Sequence, residues 1–226
     1  MMTVQEKLTV KQLYTLSHTL AAPLLEAVDY PWEVLPKIGE FVRKLGESLP
    51  QEGYRCVDKD VWIAVSASIA PSATIKGPCI IGPETEVRPG AFLRGNILVG
   101  SGCVIGNSTE LKNVIIFDSV QVPHYNYVGD SVLGYKSHMG AGAITSNVKS
   151  DKSLVTVHGP EGNIETGLKK FGAMLGDFVE VGCNSVLNPG TVIGRESNIY
   201  PLSCVRGFVP SRSIFKTGGV IVEKHS

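Results

Sequence analysis

From Ile63 onward the chain repeats every six residues, and an aliphatic residue opens each block: IAVSAS, IAPSAT, IKGPCI, IGPETE, VRPGAF, LRGNIL, VGSGCV, IGNSTE and LKNVII. The rhythm resumes after a frame slip around Pro123 as LGYKSH and MGAGAI, and after an interruption as LGDFVE, VGCNSV, LNPGTV, IGRESN, IYPLSC and VRGFVP. A fixed period dictates a stacked architecture before local propensity matters. Each block reads as a short strand with one inward aliphatic side chain, followed by small or turn-forming residues that carry the chain round a corner. Three blocks close a triangular coil, and successive coils pair their backbones at about 4.8 Å. The expected fold class is an all-β solenoid, a parallel β-helix of hexapeptide repeats. The period alone leaves its hand open.

Ahead of the repeat, apolar residues recur at helical spacing from Leu8 to Leu49, with a break near Pro31. We therefore expect an N-terminal helical segment over 1–57, packed as a cap or arm. A β-helix domain follows over 58–210, and a C-terminal tail over 211–226. The interruption at 148–174 is polar and carries Lys149, Lys152, Lys169 and Lys170. A loop of that length in a tight solenoid is usually functional, and we read it as an arm reaching over a neighbouring subunit.

Lys plus Arg balances Asp plus Glu at 21 each, so no nucleic acid or acidic membrane is expected as a partner. Any phosphate chemistry must rest on local charge. The five cysteines lack CxxC spacing and read as reduced residues of a cytoplasmic protein. No signal peptide or transmembrane run is evident in the sequence. The interior of so narrow a prism is filled by its aliphatic column, so ligands must bind outside it, in grooves between prisms packed side by side.

The chemistry-bearing stretch runs from Arg88 to Lys152. It holds Arg88-Pro89-Gly90, Lys112, His124-Tyr125-Asn126-Tyr127-Val128-Gly129-Asp130, and Gly140-Ala141-Gly142-Ala143-Ile144-Thr145-Ser146-Asn147. This resembles the acetyltransferase domain of the bifunctional glucosamine-1-phosphate N-acetyltransferase/N-acetylglucosamine-1-phosphate uridylyltransferases. It is also similar to the C-terminal β-helix of archaeal sugar-1-phosphate nucleotidylyltransferases, which share a similar His-x-Asn-Tyr-Val-Gly-Asp run. The resemblance covers roughly Ile81 to Val209. It implies a left-handed β-helix, a homotrimer, acetyl-CoA as donor, an amino-sugar 1-phosphate (glucosamine or galactosamine) as acceptor, and no metal requirement.

Acetyl transfer to an amine needs a base that removes a proton as the nitrogen attacks, and an imidazole suits that task near pH 7. His124 is the candidate. Asn147 matches the family residue that positions donor and amine. A sugar 1-phosphate carries about two negative charges and calls for fixed cations. The resemblance implies that Arg88 and Lys112 supply them, with Lys152 near a third position and the Tyr127 hydroxyl as a further phosphate contact. His138 stands where the bifunctional enzyme has a sugar-contacting Asn. The Ala141 N–H is the expected oxyanion donor, and Cys183 a contact for the pantetheine arm.

One extra six-residue block separates Arg88 from Lys112 relative to the bifunctional enzyme. The N-terminal segment is short for a nucleotidyltransferase domain and lacks its Gly-rich loop, so uridylyl transfer is not expected. Two other readings stand beside acetyl transfer. One is a non-catalytic β-helix that scaffolds or regulates a sugar nucleotidyltransferase. The other is a zinc carbonic anhydrase on the same prism, for which His124 and His138 are the only histidines in the regular coils.

Overall fold

The computed structural model describes residues 4–159 and 162–225. From Val61 onward the chain winds as a three-faced prism. Its first face stacks Val61–Ala64, Cys79–Ile81, Ile97–Val99, Val114–Ile116, Ser131–Leu133, Ala173–Leu175 and Thr191–Ile193 in parallel register. Phe208–Val209 completes it. The second face stacks Ser68–Ile69 through Ser213–Phe215, and the third runs from Thr74–Ile75 to Cys204–Val205. The expected parallel β-solenoid preceded by helices is what forms.

Its inward column is the aliphatic residue of each block. Val87, Leu93, Val99, Ile105 and Leu111 are at most 1% exposed. Corners are turned largely by residues in the left-handed region, including Asn96, Asn113, Asp130 and Asn184. Asn and Asp pay less there than branched side chains do.

The period is kept from Ile63 to Leu111 and then shortens on two successive coils, with a third shortening late in the prism between the inward Val205 and Val209. Only five residues separate the inward Leu111 from Ile116, and five again separate Val128 from Leu133. The slip anticipated near Pro123 is therefore two slips, at Lys112-Asn113 and at Gly129-Asp130. Each lies within a seven-residue strand, Glu110–Ile116 or Tyr127–Leu133, that bends round the corner without a break.

The N-terminal segment does more than cap the coils. After short helical turns and a 3-10 stretch at Pro31–Lys37, the helix Ile38–Ser48 lies along the first face. Ile80, Leu98, Ile115, Val132, Met174 and Val192 point away from the prism axis on that face by strand alternation, yet are at most 1% exposed. Burying each contributes about 1.5–3 kcal/mol. Polar ties pin the strap at its start. Arg195 donates to Leu13 O (3.1 Å) and pairs with the buried Asp177 (2.7 Å), which also accepts from Thr15 N (2.8 Å). Trp32 stacks on Phe171, with centroids 5.6 Å apart.

Both ends of the regular prism are closed by antiparallel pairs. Tyr54–Asp58 pairs with Val61–Ala64, and Ile221–Glu223 with Ser213–Phe215. The insertion leaves and rejoins the coil at one corner, where Phe171 N donates to Asn147 O at 3.0 Å. It forms a hairpin, Thr156–Gly159 with Gly162–Glu165. Its base folds onto the chain's own later coils, burying Val155, Val157 and Phe171 completely. No disulfide forms among the five cysteines, and no described helix is long and apolar enough to cross a membrane.

Candidate active site

The two shortened corners create the most concentrated polar cluster of the solenoid. Asn113, Asp130 and Asn147 occupy equivalent corner positions on three successive coils, because Leu111 pairs with Val128 and Tyr127 with Ile144. Asp130 is the hub. Its carboxylate accepts from Lys112 Nζ with both oxygens at 2.9 Å, from Asn113 Nδ2 at 2.9 Å and from Asn147 Nδ2 at 2.5 Å. The Asp130 side chain is only 4% exposed. A buried carboxylate is tolerable because an ammonium and two amides saturate it.

Tyr127 leans over the same corner. Its hydroxyl accepts from Asn147 Nδ2 at 3.2 Å. Burial first, and then the Asp130 charge, raise its pKa above the ordinary tyrosine value, so it stays a hydroxyl able to donate to an anion. Arg94 stacks one coil before Lys112 and pairs with Glu110 at 2.7 Å.

His124 lies elsewhere, at the end of the second face, where it pairs in register with Asn107. It is exposed, and its imidazole makes no hydrogen bond among the described residues. Its backbone is held firmly. Asn126, 2% exposed, accepts from His124 N (3.1 Å) and donates to Gly140 O (2.8 Å) and Ala143 O (3.0 Å). One buried amide thus clamps the His124 turn to the Gly140-Ala141-Gly142 corner below it. Gly142 N in turn donates to His124 O at 3.0 Å. Gly140 must be glycine, since a Cβ there would stand 2.7 Å from Cys183 N.

His138 and Cys183 line a groove of about 550 Å³ that runs down the second face from Gly140 past Tyr200 to Lys224. His138 Nδ1 is paired with Glu180 at 2.8 Å. Arg88 sits on the same corner as His124, two coils earlier, and pairs with Glu86 at 3.0 Å. Lys152 is exposed in a turn closed by its own N–H to Lys149 O (2.9 Å).

Within one chain the expected residues therefore form two groups. Lys112, Tyr127 and Asn147 converge at the corner between the third and first faces. Arg88, His124, His138, Ala141 and Cys183 line the second face and the corner after it, and Lys152 joins neither. Sequence reasoning gave no role to Asp130, Asn113, Asn126 or Arg94. The available signal was the spacing of 17 that separates Asn113 from Asp130 and Asp130 from Asn147. Among the described residues, no group of three His, Cys, Asp or Glu side chains is arranged to hold a metal ion.

The chain is similar to known proteins of one group. The family model described as the GMPPB C-terminal domain matches residues 75–174. The bifunctional protein GlmU of Methanococcus maripaludis (strain C5) is 30% identical over 200 residues, covering 87% of this chain and 48% of that protein. The bifunctional sugar-1-phosphate nucleotidylyltransferase/acetyltransferase of Sulfurisphaera tokodaii is 35% identical over 178 residues, covering 71% of this chain and 44% of that protein. This chain is a hexapeptide-repeat left-handed β-solenoid of the acyltransferase type, related to GlmU-like acetyltransferase domains. It spans about half the length of these curated relatives. Among solved structures, a hexapeptide transferase family protein from Anaplasma phagocytophilum matches with TM-score 0.42 and 19% identity, over 74% of this chain and 81% of that one.

Proposed function

We propose that this solenoid transfers the acetyl group of acetyl-CoA to the amine of an amino-sugar 1-phosphate, as a cytoplasmic homotrimer. One observation carries the reading. Lys112, Tyr127 and Asn147 are organised around a buried carboxylate on one corner, while His124 stands unpartnered on the next. Two prisms side by side bring these corners together.

In that assembly the sugar phosphate sits against Lys112 and the Tyr127 hydroxyl, with Arg88, His138 and Lys152 as further contacts. The thioester arm lies in the groove past Ala141 and Cys183. His124 takes a proton from the amine as its nitrogen attacks the thioester carbonyl. The Ala141 N–H stabilises the oxyanion, the C–S bond breaks, and the thiolate leaves to be protonated. Asn147 has its Nδ2 committed to Asp130 and Tyr127, which turns its Oδ1 outward as an acceptor for the amine.

The non-catalytic scaffold remains the second reading, favoured by one feature. Both oxygens of Asp130 already neutralise Lys112, so an entering phosphate must share that ammonium. The test is acetyl-CoA consumption with glucosamine 1-phosphate, galactosamine 1-phosphate and other amino-sugar phosphates, with His124→Ala as control. No turnover with any amino-sugar phosphate rejects the acetyltransferase and leaves the scaffold.

A further inference from the structure

A second cleft, of about 400 Å³, lies between the inserted hairpin and the later coils. Its floor is Ser146, Asn188 and Arg206, stacked on successive coils, since Ile144 pairs with Val186 and Val186 with Cys204. Lys149, Thr156 and His158 form its wall. That wall is rigidly seated. A Cβ at Gly190 would stand 2.9 Å from Thr156 O, and one at Gly207 2.5 Å from His158 O. Both glycines adopt positive φ, 81° and 80°, so the corners beneath the hairpin need glycine for both conformation and clearance.

The charge in this cleft is only partly compensated: Arg206 and Lys149 line it together with a single carboxylate, Asp151, which lies 4.0 Å from Lys149 Nζ. Arg43, Arg88, Arg94, Arg195 and Arg212 each hold a carboxylate at ion-pair distance. Arg206 holds none among the described residues. Its Nη2 donates instead to His158 Nε2 at 3.1 Å. That contact makes Nε2 an acceptor and leaves Nδ1–H to donate to Asn163 Oδ1 at 2.9 Å. Lys149 is only loosely engaged, 3.4 Å from Leu154 O and 4.0 Å from Asp151. A guanidinium and an ammonium thus face a polar cavity with most of their N–H donors unspent, a donor set suited to phosphate oxygens.

The cleft is distinct from the Lys112 corner. Lys112, Gly129, Ser146, Asn188 and Arg206 follow one column. Arg206 therefore lies about 19 Å from Lys112 at about 4.8 Å per coil. A sugar phosphate held by Lys112 does not reach it. The volume exceeds what one phosphate needs and falls in the range of small-molecule sites.

We propose that this cleft is a second phosphate-binding site, in which Arg206 and Lys149 hold the phosphate or diphosphate of a nucleotide-sized metabolite. Two sources share that chemistry: the phosphates of coenzyme A, and those of a nucleoside diphosphate, free or linked to a sugar. The proposal does not rest on acetyl transfer, because binding is measured without turnover.

Calorimetric titration of the full chain with inorganic pyrophosphate, uridine diphosphate and coenzyme A tests it. Saturable pyrophosphate binding is expected, weakened about tenfold or more in Arg206→Gln and Lys149→Gln. Displacement of pyrophosphate by coenzyme A, lost in Arg206→Gln, assigns the site to the acyl donor. Displacement by uridine diphosphate alone assigns it to a nucleotide ligand. Absence of saturable pyrophosphate binding, or wild-type affinity in an Arg206→Gln protein with an unchanged melting temperature, overturns the proposal.

Discussion

Asp130 accepts a 2.5 Å hydrogen bond from Asn147 Nδ2 across one coil of the solenoid. The same carboxylate holds Lys112 one coil in the other direction, so a single acid sets two of the side chains proposed to meet the acceptor. Asp130→Ala leaves the Lys112 ammonium without its counter-ion, at a cost of about 3 kcal/mol. Chemical denaturation should show that loss. Wild-type stability in the variant would show that the hub is dispensable to the fold.

His124 is exposed and its side chain supports nothing else in the chain. His124→Ala is expected to lower turnover by at least about a hundredfold, the usual worth of a general base, with no change in melting temperature. Full activity in the variant would remove His124 from the mechanism.

Replacing Lys112 by Met should raise the Michaelis constant for the sugar phosphate more than that for acetyl-CoA, because the lost charge faces only the former. Steady-state kinetics with each substrate varied in turn decides this. Equal effects on both would count against a phosphate contact.

If His124 of one chain serves the Lys112 corner of the next, two impaired variants can rescue one another when the sugar phosphate is held below the raised Michaelis constant of Lys112→Met. Mixed assemblies of His124→Ala and Lys112→Met chains in equal amounts should regain roughly a quarter of wild-type sites, by random placement round a closed ring. Activity that stays at the level of the separate variants would place both residues in one chain's site or deny the assembly.

Tyr14 is fully buried, its hydroxyl 3.4 Å from Val132 O, and burial first, then Asp177, hold its pKa well above the usual value. The folded state therefore keeps the phenolic proton that the unfolded chain releases near pH 10. Between those two values the native state binds more protons, so stability falls as pH rises. Melts from pH 8 to 11 should show a steep loss above about pH 10 that is smaller in Tyr14→Phe. Identical alkaline curves would assign the loss to other groups.

The inward column and the stacked fold were legible because one residue in six carries them, and the local pattern survives from Ile63 to Leu111. The slips were misplaced for a physical reason. Val114, Ile115 and Ile116 are all apolar, so the run accommodates either frame and hides the missing residue. The strap's path was also written in the chain, as apolar triplets on every third block, such as Cys79-Ile80-Ile81 and Ile97-Leu98-Val99. A face buried on both sides reads that way. Asp130 stood inside the quoted run without a role, since Lys112 and Asn147 are 18 and 17 residues away and only coil stacking brings them to it.

The strap over the first face also dictates how copies of this chain can meet. With one side of the triangle already occupied, neighbouring copies have only the remaining two sides available, which is compatible with the proposed ring of three. If such a ring forms, the strap stays on the one side that each copy keeps to itself.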